Sequence, residues 1–188
     1  MATDPVYLIV GLGNPGPQYE RHRHNAGFMV AEEFRRRQGL PPLRERFHGL
    51  MAEGEVAGKR VVLLLPLTFM NHSGQAVADA VRHYRVPVER ILVIHDDVEL
   101  PFGEVRLKEG QGLGGHNGLR SLEQALGSRD FWRVRVGVGR PERSEELLVD
   151  YVLAPFSEPE EEVRLLIRKA ADLAGEWLAT RDGAPCPA

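Results

Sequence analysis

Short apolar runs alternate along this chain with segments whose apolar residues recur at helical spacing, and this alternation limits the folds open to it. Val6 to Gly11 and Ile91 to His95 have the length and content of buried strands. In Ala26 to Arg37 and Ser73 to Arg85, the apolar residues fall near one face of a helix. Such alternation favours an α/β architecture with helices on both sides of a mostly parallel sheet.

The middle of the chain extends this pattern. Glu53 to Ala57 and Arg60 to Leu65 flank Gly58-Lys59, which predicts an antiparallel hairpin. A strand, a helix and an alternating strand are predicted after it, at Val105 to Lys108, Leu119 to Leu126 and Trp132 to Val138.

A last long helix has a recognisable start. Ser157 suits the N-cap, and Glu160 stands at the third helical position of a capping box. The helix should run to about Ala179. We therefore expect residues 1–188 to form a single α/β domain.

Length and composition favour a single-domain protein of the cytoplasm over a membrane or secreted protein. At 188 residues the chain is long enough for one domain with a core and a cleft. Its longest apolar runs, such as Val61 to Leu65, are far shorter than the ~20 residues of a membrane helix, and a start that contains Asp4 and Pro5 does not suit a secretory signal. Cys186, the single cysteine, cannot form an internal disulfide, so the cytoplasm is the expected compartment.

The net charge of −3 opposes broad binding to nucleic acid, so any such contact has to be a local basic patch. One candidate for such a patch lies in the strand predicted at Trp132 to Val138. Arg133 and Arg135 project from one face of it, opposite Val134 and Val136. The alternative is that both arginines are solvated or paired with acids such as Glu142.

The first polar motif, GLGNPG at residues 11–16, follows a strand and matches the pattern G-x-G-x-x-G. A dinucleotide-binding loop would begin a helix inside the motif, but Pro15 and Gly16 interrupt it. The acidic residue expected about 20 positions on should end a second strand, whereas Glu32 and Glu33 lie in a helical segment. Taken alone, the motif is better explained as a turn in which Asn14 serves its own backbone geometry.

A histidine and a carboxylate are predicted to meet at a strand end. His24 lies in the polar loop RHRHN before a helix, and Asp96 belongs to HDD at the end of the second buried strand. A carboxylate in that place can orient an imidazole from another loop, and the pair could act as a base. The alternative is that His24 is a solvated loop residue.

Three asparagines occupy comparable loops: Asn14, Asn71 in TFMN and Asn117 in GGHNG. Each has a structural alternative, and Asn117 in particular suits the N-cap of a helix. Together with His24 they offer neutral donors and acceptors for a water, a carbonyl group and a developing oxyanion.

Two other kinds of protein stay open at this point. A metallohydrolase could draw on five ligands, which are His24, His95, Asp96, Asp97 and His116. The chain lacks an H-E-x-x-H helix and a cysteine pair, and it also lacks a G-x-S-x-G elbow for a nucleophilic serine. A non-catalytic RNA-binding module would use the arginines and would have no need of the His24–Asp96 pair. We expect neither a metal nor a cofactor.

Taken in order, the segments VGLGNPG, RHNAG, TFMN, HDD, GGHNG and FWRVRVGVGRP resemble the bacterial-type peptidyl-tRNA hydrolase family. The resemblance covers about Tyr7 to Leu153. It implies a single-domain, three-layer α/β/α sandwich around a mixed sheet. It also implies a monomer that needs no cofactor and hydrolyses the ester bond of peptidyl-tRNA.

The same resemblance implies roles for individual residues. The catalytic set is His24 as the base, Asp96 as the carboxylate that orients it, Asn14 at the substrate's 3′ end and Asn117 near the attacking water. On the resemblance, the residues expected to bind substrate are Tyr19, Asn71, Lys108, His116 and Arg135. We also expect Phe69 and, from the periodicity of its strand, Arg133 to bind substrate. Among these, Tyr19 would contact the terminal nucleotide, and Lys108 and Arg135 the phosphates of the transfer RNA.

Overall fold

The structure is a computed structural model that describes residues 5–143 and 146–181. Its strands are β1 (Val6–Gly11), β2 (Arg44–Arg46), β3 (Gly49–Val56), β4 (Lys59–Pro66), β5 (Ile91–Asp97), β6 (Val105–Glu109) and β7 (Trp132–Gly137). Its α-helices are α1 (Ala26–Arg37), α2 (Ser73–Tyr84), α3 (Asn117–Leu126), α4 (Leu148–Val152) and α5 (Glu160–Ala179). Cys186, for which no disulfide was expected, lies outside the described residues.

The strands form one sheet in the order β2-β3-β4-β1-β5-β7-β6. The four strands β4, β1, β5 and β7 pair in parallel, whereas β2, β3 and β6 join at the two edges by antiparallel pairing. Parallel and antiparallel pairs are therefore equal in number among the described strands. The predicted mixed sheet is confirmed, but the expectation that it is mostly parallel is right only for its centre.

Alternate residues of each central strand serve two separate cores. Ile9 packs toward α1 and α5 with Phe34 and Trp177, while Leu8 packs toward α2 and α3 with Val77. All five side chains are fully buried. Each large apolar side chain buried in this way stabilises the fold by roughly 1.5–3 kcal/mol. The three-layer sandwich is thus confirmed. Among the described helices, none has the length and apolar content to span a membrane.

Two local expectations need correction, and one strand was not predicted. The hairpin turn is Ala57-Gly58, whose positive φ angles of 53° and 75° suit a tight hairpin turn, and Lys59 already belongs to β4. The charged strand β2 was not predicted, because it shows no alternation. The capping box at α5 is also wrong: Pro159 precedes the helix without a side-chain cap, and Ser157 accepts a hydrogen bond from Arg23 instead.

The start of α1 packs backbone against backbone on the sheet. A Cβ atom on Gly27 would lie 2.4 Å from the carbonyl oxygen of Ile94 and 2.5 Å from the backbone of Leu12. Only glycine permits this approach. The 3₁₀ turn Arg23–Asn25 that leads into α1 is therefore held beside the carboxyl end of β5, and His24 lies within that turn.

Candidate active site

A cleft of about 650 Å³ opens at the carboxyl ends of the parallel strands. Ligands of α/β sheets bind in this position. All eleven residues singled out from the sequence line it: Asn14, Tyr19, His24, Phe69, Asn71, Asp96, Lys108, His116, Asn117, Arg133 and Arg135. The folded chain thus brings together loops that are far apart in sequence.

At the base of the cleft, Nδ1 of His24 lies 2.8 Å from Oδ2 of Asp96. A carboxylate only accepts, so Nδ1 carries the hydrogen and Nε2 keeps its lone pair. Burial by itself would lower the pKa of His24, but the charge of Asp96 and the hydrogen bond to it outweigh burial and raise that pKa above 6.5. His24 therefore has the geometry of a base whose ring is oriented by a carboxylate.

His116 binds the other oxygen of Asp96. Oδ1 of Asp96 lies 2.9 Å from Nε2 of His116. Burial would raise the pKa of Asp96, but the two imidazoles outweigh it and hold that pKa far below its ordinary range. The carboxylate, which is 2% exposed, stays charged between its two partners.

The structure gives the N-cap of α3 to His116. Nδ1 of His116 accepts hydrogen bonds from the backbone N–H groups of Gly118 and Leu119, at 3.1 and 3.3 Å. Because this nitrogen accepts, Nε2 must be the one that donates to Asp96. The structural alternative, in which Asn117 caps the helix, is therefore wrong; Asn117 is the first helical residue and its side chain is exposed in the cleft.

His95, the first residue of HDD, has a different environment. It is buried, and its Nδ1–H donates to the backbone carbonyl of Asp96 at 2.8 Å. Burial and the nearby His116 lower the pKa of His95 to about 4, so the ring is neutral at physiological pH. It does not share the environment that raises the pKa of His24.

A cation could be considered at one place in the described chain. The ligand atoms of His24, Asp96 and His116 lie within 4.8 Å of one another. A metal ion there would have to replace the hydrogen bonds that both imidazoles make to the carboxylate. His95 and Asp97, which the sequence offered as further ligands, do not join this group.

Asn14 is held at its side chain by Met70 and at its backbone by Asn25. Its Oδ1 accepts a hydrogen bond from the N–H of Met70 at 2.7 Å, so its NH₂ group is the part that can face the cleft. The side chain of Asn25 bonds both the N–H and the carbonyl of Asn14, each at 2.9 Å. Asn14 therefore holds another loop in place rather than serving its own turn. Sequence reasoning gave Asn25 no role, although it follows His24 directly.

Two aromatic rings form one side of the cleft. Tyr19 and Phe69 meet edge to face with ring centroids 6.3 Å apart, and Phe69 is 49% exposed. Phe69 has a φ of 65° and a ψ of 154°, a conformation that costs a residue other than glycine about 1–3 kcal/mol. The same loop presents the exposed Asn71.

The basic residues on the other side of the cleft differ in whether their charge is paired with an acid. Lys108 is half-buried and makes no ion pair with any described residue. Nε of Arg135 lies 2.7 Å from Oδ2 of Asp97, so the acid that pairs with it is Asp97 rather than Glu142. Val134 and Val136 point into the opposite core, as predicted.

Arg133 does not present a free guanidinium group. It is 3% exposed, and it donates to the backbone carbonyls of Gly112, Gln111 and Arg129 at 2.6, 3.2 and 2.9 Å. Both terminal NH₂ groups are therefore engaged by the protein, whereas Nε is buried without a hydrogen-bond partner. Arg133 still lines the cleft, and its contact with substrate stays a prediction. Arg133 braces the glycine-rich loop that leads to His116.

Comparison with known proteins agrees with this geometry. The family model described as peptidyl-tRNA hydrolase matches residues 8–184. The chain belongs to the peptidyl-tRNA hydrolase family. A peptidyl-tRNA hydrolase of Geotalea daltonii is 52% identical over 182 residues, which are 96% of this chain and 93% of that protein. One from Rhodospirillum centenum is 54% identical over 155 residues, or 82% of this chain and 67% of that protein.

A solved structure agrees as well. The crystal structure of peptidyl-tRNA hydrolase from Acinetobacter baumannii is 39% identical to this chain and superposes with a TM-score of 0.81, covering 94% of this chain and 88% of that one. The family resemblance carried by the six sequence motifs is therefore confirmed.

This member of the peptidyl-tRNA hydrolase family has a further cleft surface that sequence reasoning missed. Leu148, Val149, Val152 and Leu153 line the cleft from α4 and its end, and we call them the α4 wall. Leu147 beside them is 64% exposed. The run LLVDYVL was the available signal, since it is apolar without being a strand or a long helix.

Proposed function

We propose that this chain hydrolyses the ester bond between a peptide and the 3′-terminal ribose of transfer RNA, with a water molecule that His24 activates. Family membership supports the reaction. The observation that carries the mechanism is the contact of Nδ1 of His24 with Asp96, which leaves Nε2 as a proton acceptor in a cleft that asparagines line.

The chemistry needs one base and no covalent intermediate. The water oxygen attacks the ester carbonyl carbon while Nε2 of His24 takes a proton from the water. The charge of Asp96 stabilises the imidazolium that forms. When the tetrahedral intermediate collapses, the bond to the ribose oxygen breaks and that oxygen takes the proton from His24, which restores the base.

Neutral amides suit the stabilisation of the oxyanion. Asn14 is supported in this role because its oxygen is occupied by Met70, so its NH₂ group is available as a donor. Asn117 is exposed at the start of α3, where the helix dipole also favours negative charge. Neither side chain carries a charge that would retain the released carboxylate.

The remaining lining residues divide between the two parts of the substrate. The aromatic pair Tyr19 and Phe69 suits stacking against the terminal base, and Asn71 beside it suits the peptide backbone. Lys108 and Arg135 suit the phosphates, so a local basic patch serves a chain whose net charge is −3.

We further infer that the protein acts as a monomer in the cytoplasm, without a metal ion or cofactor. The cleft of a single chain already contains a base, the carboxylate that orients it and amide donors for an oxyanion, and translation is the source of peptidyl-tRNA. The rival metallohydrolase rests on the group His24, Asp96 and His116, and sensitivity to chelators separates the two. A non-catalytic RNA-binding module would not need a buried carboxylate between two imidazoles.

The direct test is multiple-turnover release of free transfer RNA from N-acetylated aminoacyl-tRNA by the purified protein. The proposal expects many turnovers per enzyme molecule and their loss in His24→Ala. Binding of the substrate without turnover by the wild-type protein would support the RNA-binding module instead.

A further inference from the structure

Arg23 precedes His24 and is buried, yet it takes no part in the mechanism described above. It is 5% exposed. Its Nη1 donates to the backbone carbonyl of Tyr151 at 2.9 Å, and its Nη2 to Oγ of Ser157 at 3.3 Å. Its guanidinium carbon also lies 3.8 Å from the centre of the Tyr151 ring. One side chain therefore spans from the loop of the base to the segment of residues 151–157.

The backbone makes the same connection. The N–H of Arg23 donates to the carbonyl of Ala154 at 3.0 Å, and His22 forms an isolated antiparallel bridge with Pro155. Tyr151 is itself fixed to the sheet, because its hydroxyl donates to the carbonyl of Val138 at 2.7 Å. The end of α4 is thus anchored both to the sheet and to the turn that carries His24.

Stability alone does not account for an arginine at this position. Arg23 has no carboxylate within ion-pair distance among the described residues, and its Nε is buried without a hydrogen-bond partner. Buried polar groups of this kind are commonly less stabilising than apolar side chains of similar volume. What the guanidinium supplies is a planar group that reaches two acceptors and stacks on a ring at once.

We propose that Arg23 is a positioning residue that holds the base. By fixing the turn Arg23–Asn25 to residues 151–157, it sets the distance between His24 and Asp96 and makes the base and the α4 wall one mechanical unit. This inference rests on the proposed function, in which His24 is the base.

Arg23→Lys tests the proposal because it keeps the positive charge and removes the guanidinium group that bonds both Tyr151 and Ser157. The matched control is Arg21→Lys, the same exchange at an exposed residue of the same loop. We expect kcat of Arg23→Lys to fall about 10- to 100-fold, since small displacements of catalytic groups have costs of this order. KM should stay within about twofold, because the substrate contacts remain. Arg21→Lys should match the wild type.

The pKa of His24 gives a readout that needs no substrate. Asp96 raises that pKa, so a looser His24–Asp96 contact should lower it, and NMR titration of the imidazole signals would measure the change. A merely structural role predicts a lower Tm with kcat and the His24 pKa unchanged, and that result would overturn the proposal. Should wild-type protein fail to hydrolyse peptidyl-tRNA, the proposed function falls, while the titration still decides whether Arg23 positions His24.

Ser157→Ala approaches the same contact from the other side. It removes one acceptor of Arg23 without changing charge or opening a large cavity. Its effect should have the same sign and be smaller, about two- to fivefold in kcat, as for the loss of one hydrogen bond of ~0.5–1 kcal/mol. If Arg23→Lys does not fold, Ser157→Ala decides: unchanged kcat together with an unchanged His24 pKa would refute the proposal.

Discussion

Oδ2 of Asp96 lies 2.8 Å from Nδ1 of His24, and this contact decides which nitrogen of the imidazole is free for chemistry. The same carboxylate binds His116, which caps α3. Asp96 therefore joins the loop before α1 to the start of α3 across the end of β5. Its charge also raises the pKa of His24, so orientation and basicity have one source.

Replacing the base should remove chemistry and leave the fold. We predict that His24→Ala lowers kcat about 10²- to 10⁴-fold, because that is the usual contribution of a positioned general base. KM and the circular dichroism spectrum should change little, since His24 lies in a cleft rather than in either core. His72→Ala, at an exposed histidine of a neighbouring turn, is the control. Activity within a few fold of the wild type would rule out His24 as the base.

Asp96→Asn should slow the reaction although it preserves shape. Both imidazoles donate to Asp96, and an amide can accept from only one of them, so one ring is left with an opposing donor. We expect kcat to fall by at least about 10²-fold. Steady-state kinetics measure this, with Glu99→Gln, an exposed acid at the rim, as the matched control. Equal rates for both variants would show that the carboxylate does not orient the base.

The pH profile provides an independent check. His24 must be neutral to accept a proton, and although burial opposes it, Asp96 raises its pKa above 6.5. The rate kcat/KM should therefore decline as the pH falls through a value above 6.5. In Asp96→Asn the remaining activity should show this decline at lower pH, because the charge that raises the pKa is gone. An unshifted profile in the variant would assign the titration to another group.

Much of the fold could be predicted from the sequence, because short-range patterns of apolar residues determine these strands and helices. The runs that became β1 and β5 are apolar on both faces, as strands covered on two sides must be. The helix pattern gave α1 and α2 nearly to the residue. The strand β2 could not be predicted because its charged residues show no alternation, although its partner β3 follows it closely in the chain. The N-cap of α5 could not be predicted because Ser157 is bound by Arg23, which is distant in the chain.

The site was predictable as a set of residues but not as a set of contacts. The prediction that Asp96, at the end of a strand, lies close to His24 from another loop is confirmed. The cap of α3 was assigned to Asn117 by propensity, whereas His116 takes it because its other nitrogen is already bound to Asp96. The periodicity of β7 put Arg133 on the cleft side, yet only the folded loop of residues 110–115 reveals that carbonyls accept hydrogen bonds from both of its terminal NH₂ groups.

We predict metal independence from the hydrogen bonds within the group His24, Asp96 and His116. Each imidazole already uses a nitrogen on the carboxylate, so a cation has to compete with two short contacts. We predict that exhaustive chelation leaves kcat unchanged when the transfer RNA is folded in a buffer that needs no magnesium. The assay compares treated and untreated enzyme on one substrate preparation. Activity that disappears and returns with stoichiometric zinc or manganese would establish a metalloenzyme.

The last prediction concerns Lys108 and the separation of RNA binding from chemistry. Lys108 faces the cleft on β6 and makes no ion pair with a described residue, whereas Arg106 on the same strand is exposed and pairs with Glu104. Arg106 and Lys108 are two residues apart on β6, so their side chains lie on the same face of the strand, opposite Arg135 and Arg133 of β7. Arg106→Ala is therefore a matched control. Arg135→Ala is a poorer probe, since it also removes the ion pair of Asp97, the residue after Asp96.

Lys108→Ala should raise KM for peptidyl-tRNA with little change in kcat, because a phosphate contact is similar in the ground state and the transition state. Loss of one contact should also flatten the dependence of log K on log salt by about 0.7–0.9. The penalty should disappear for a substrate reduced to the terminal nucleotide and its peptide, which lacks the phosphates in question. Measuring kcat and KM for both substrates at several salt concentrations decides the point. Equal losses on the full and reduced substrates, or a fall confined to kcat, would place Lys108 in the catalytic machinery or the fold instead of on the path of the RNA.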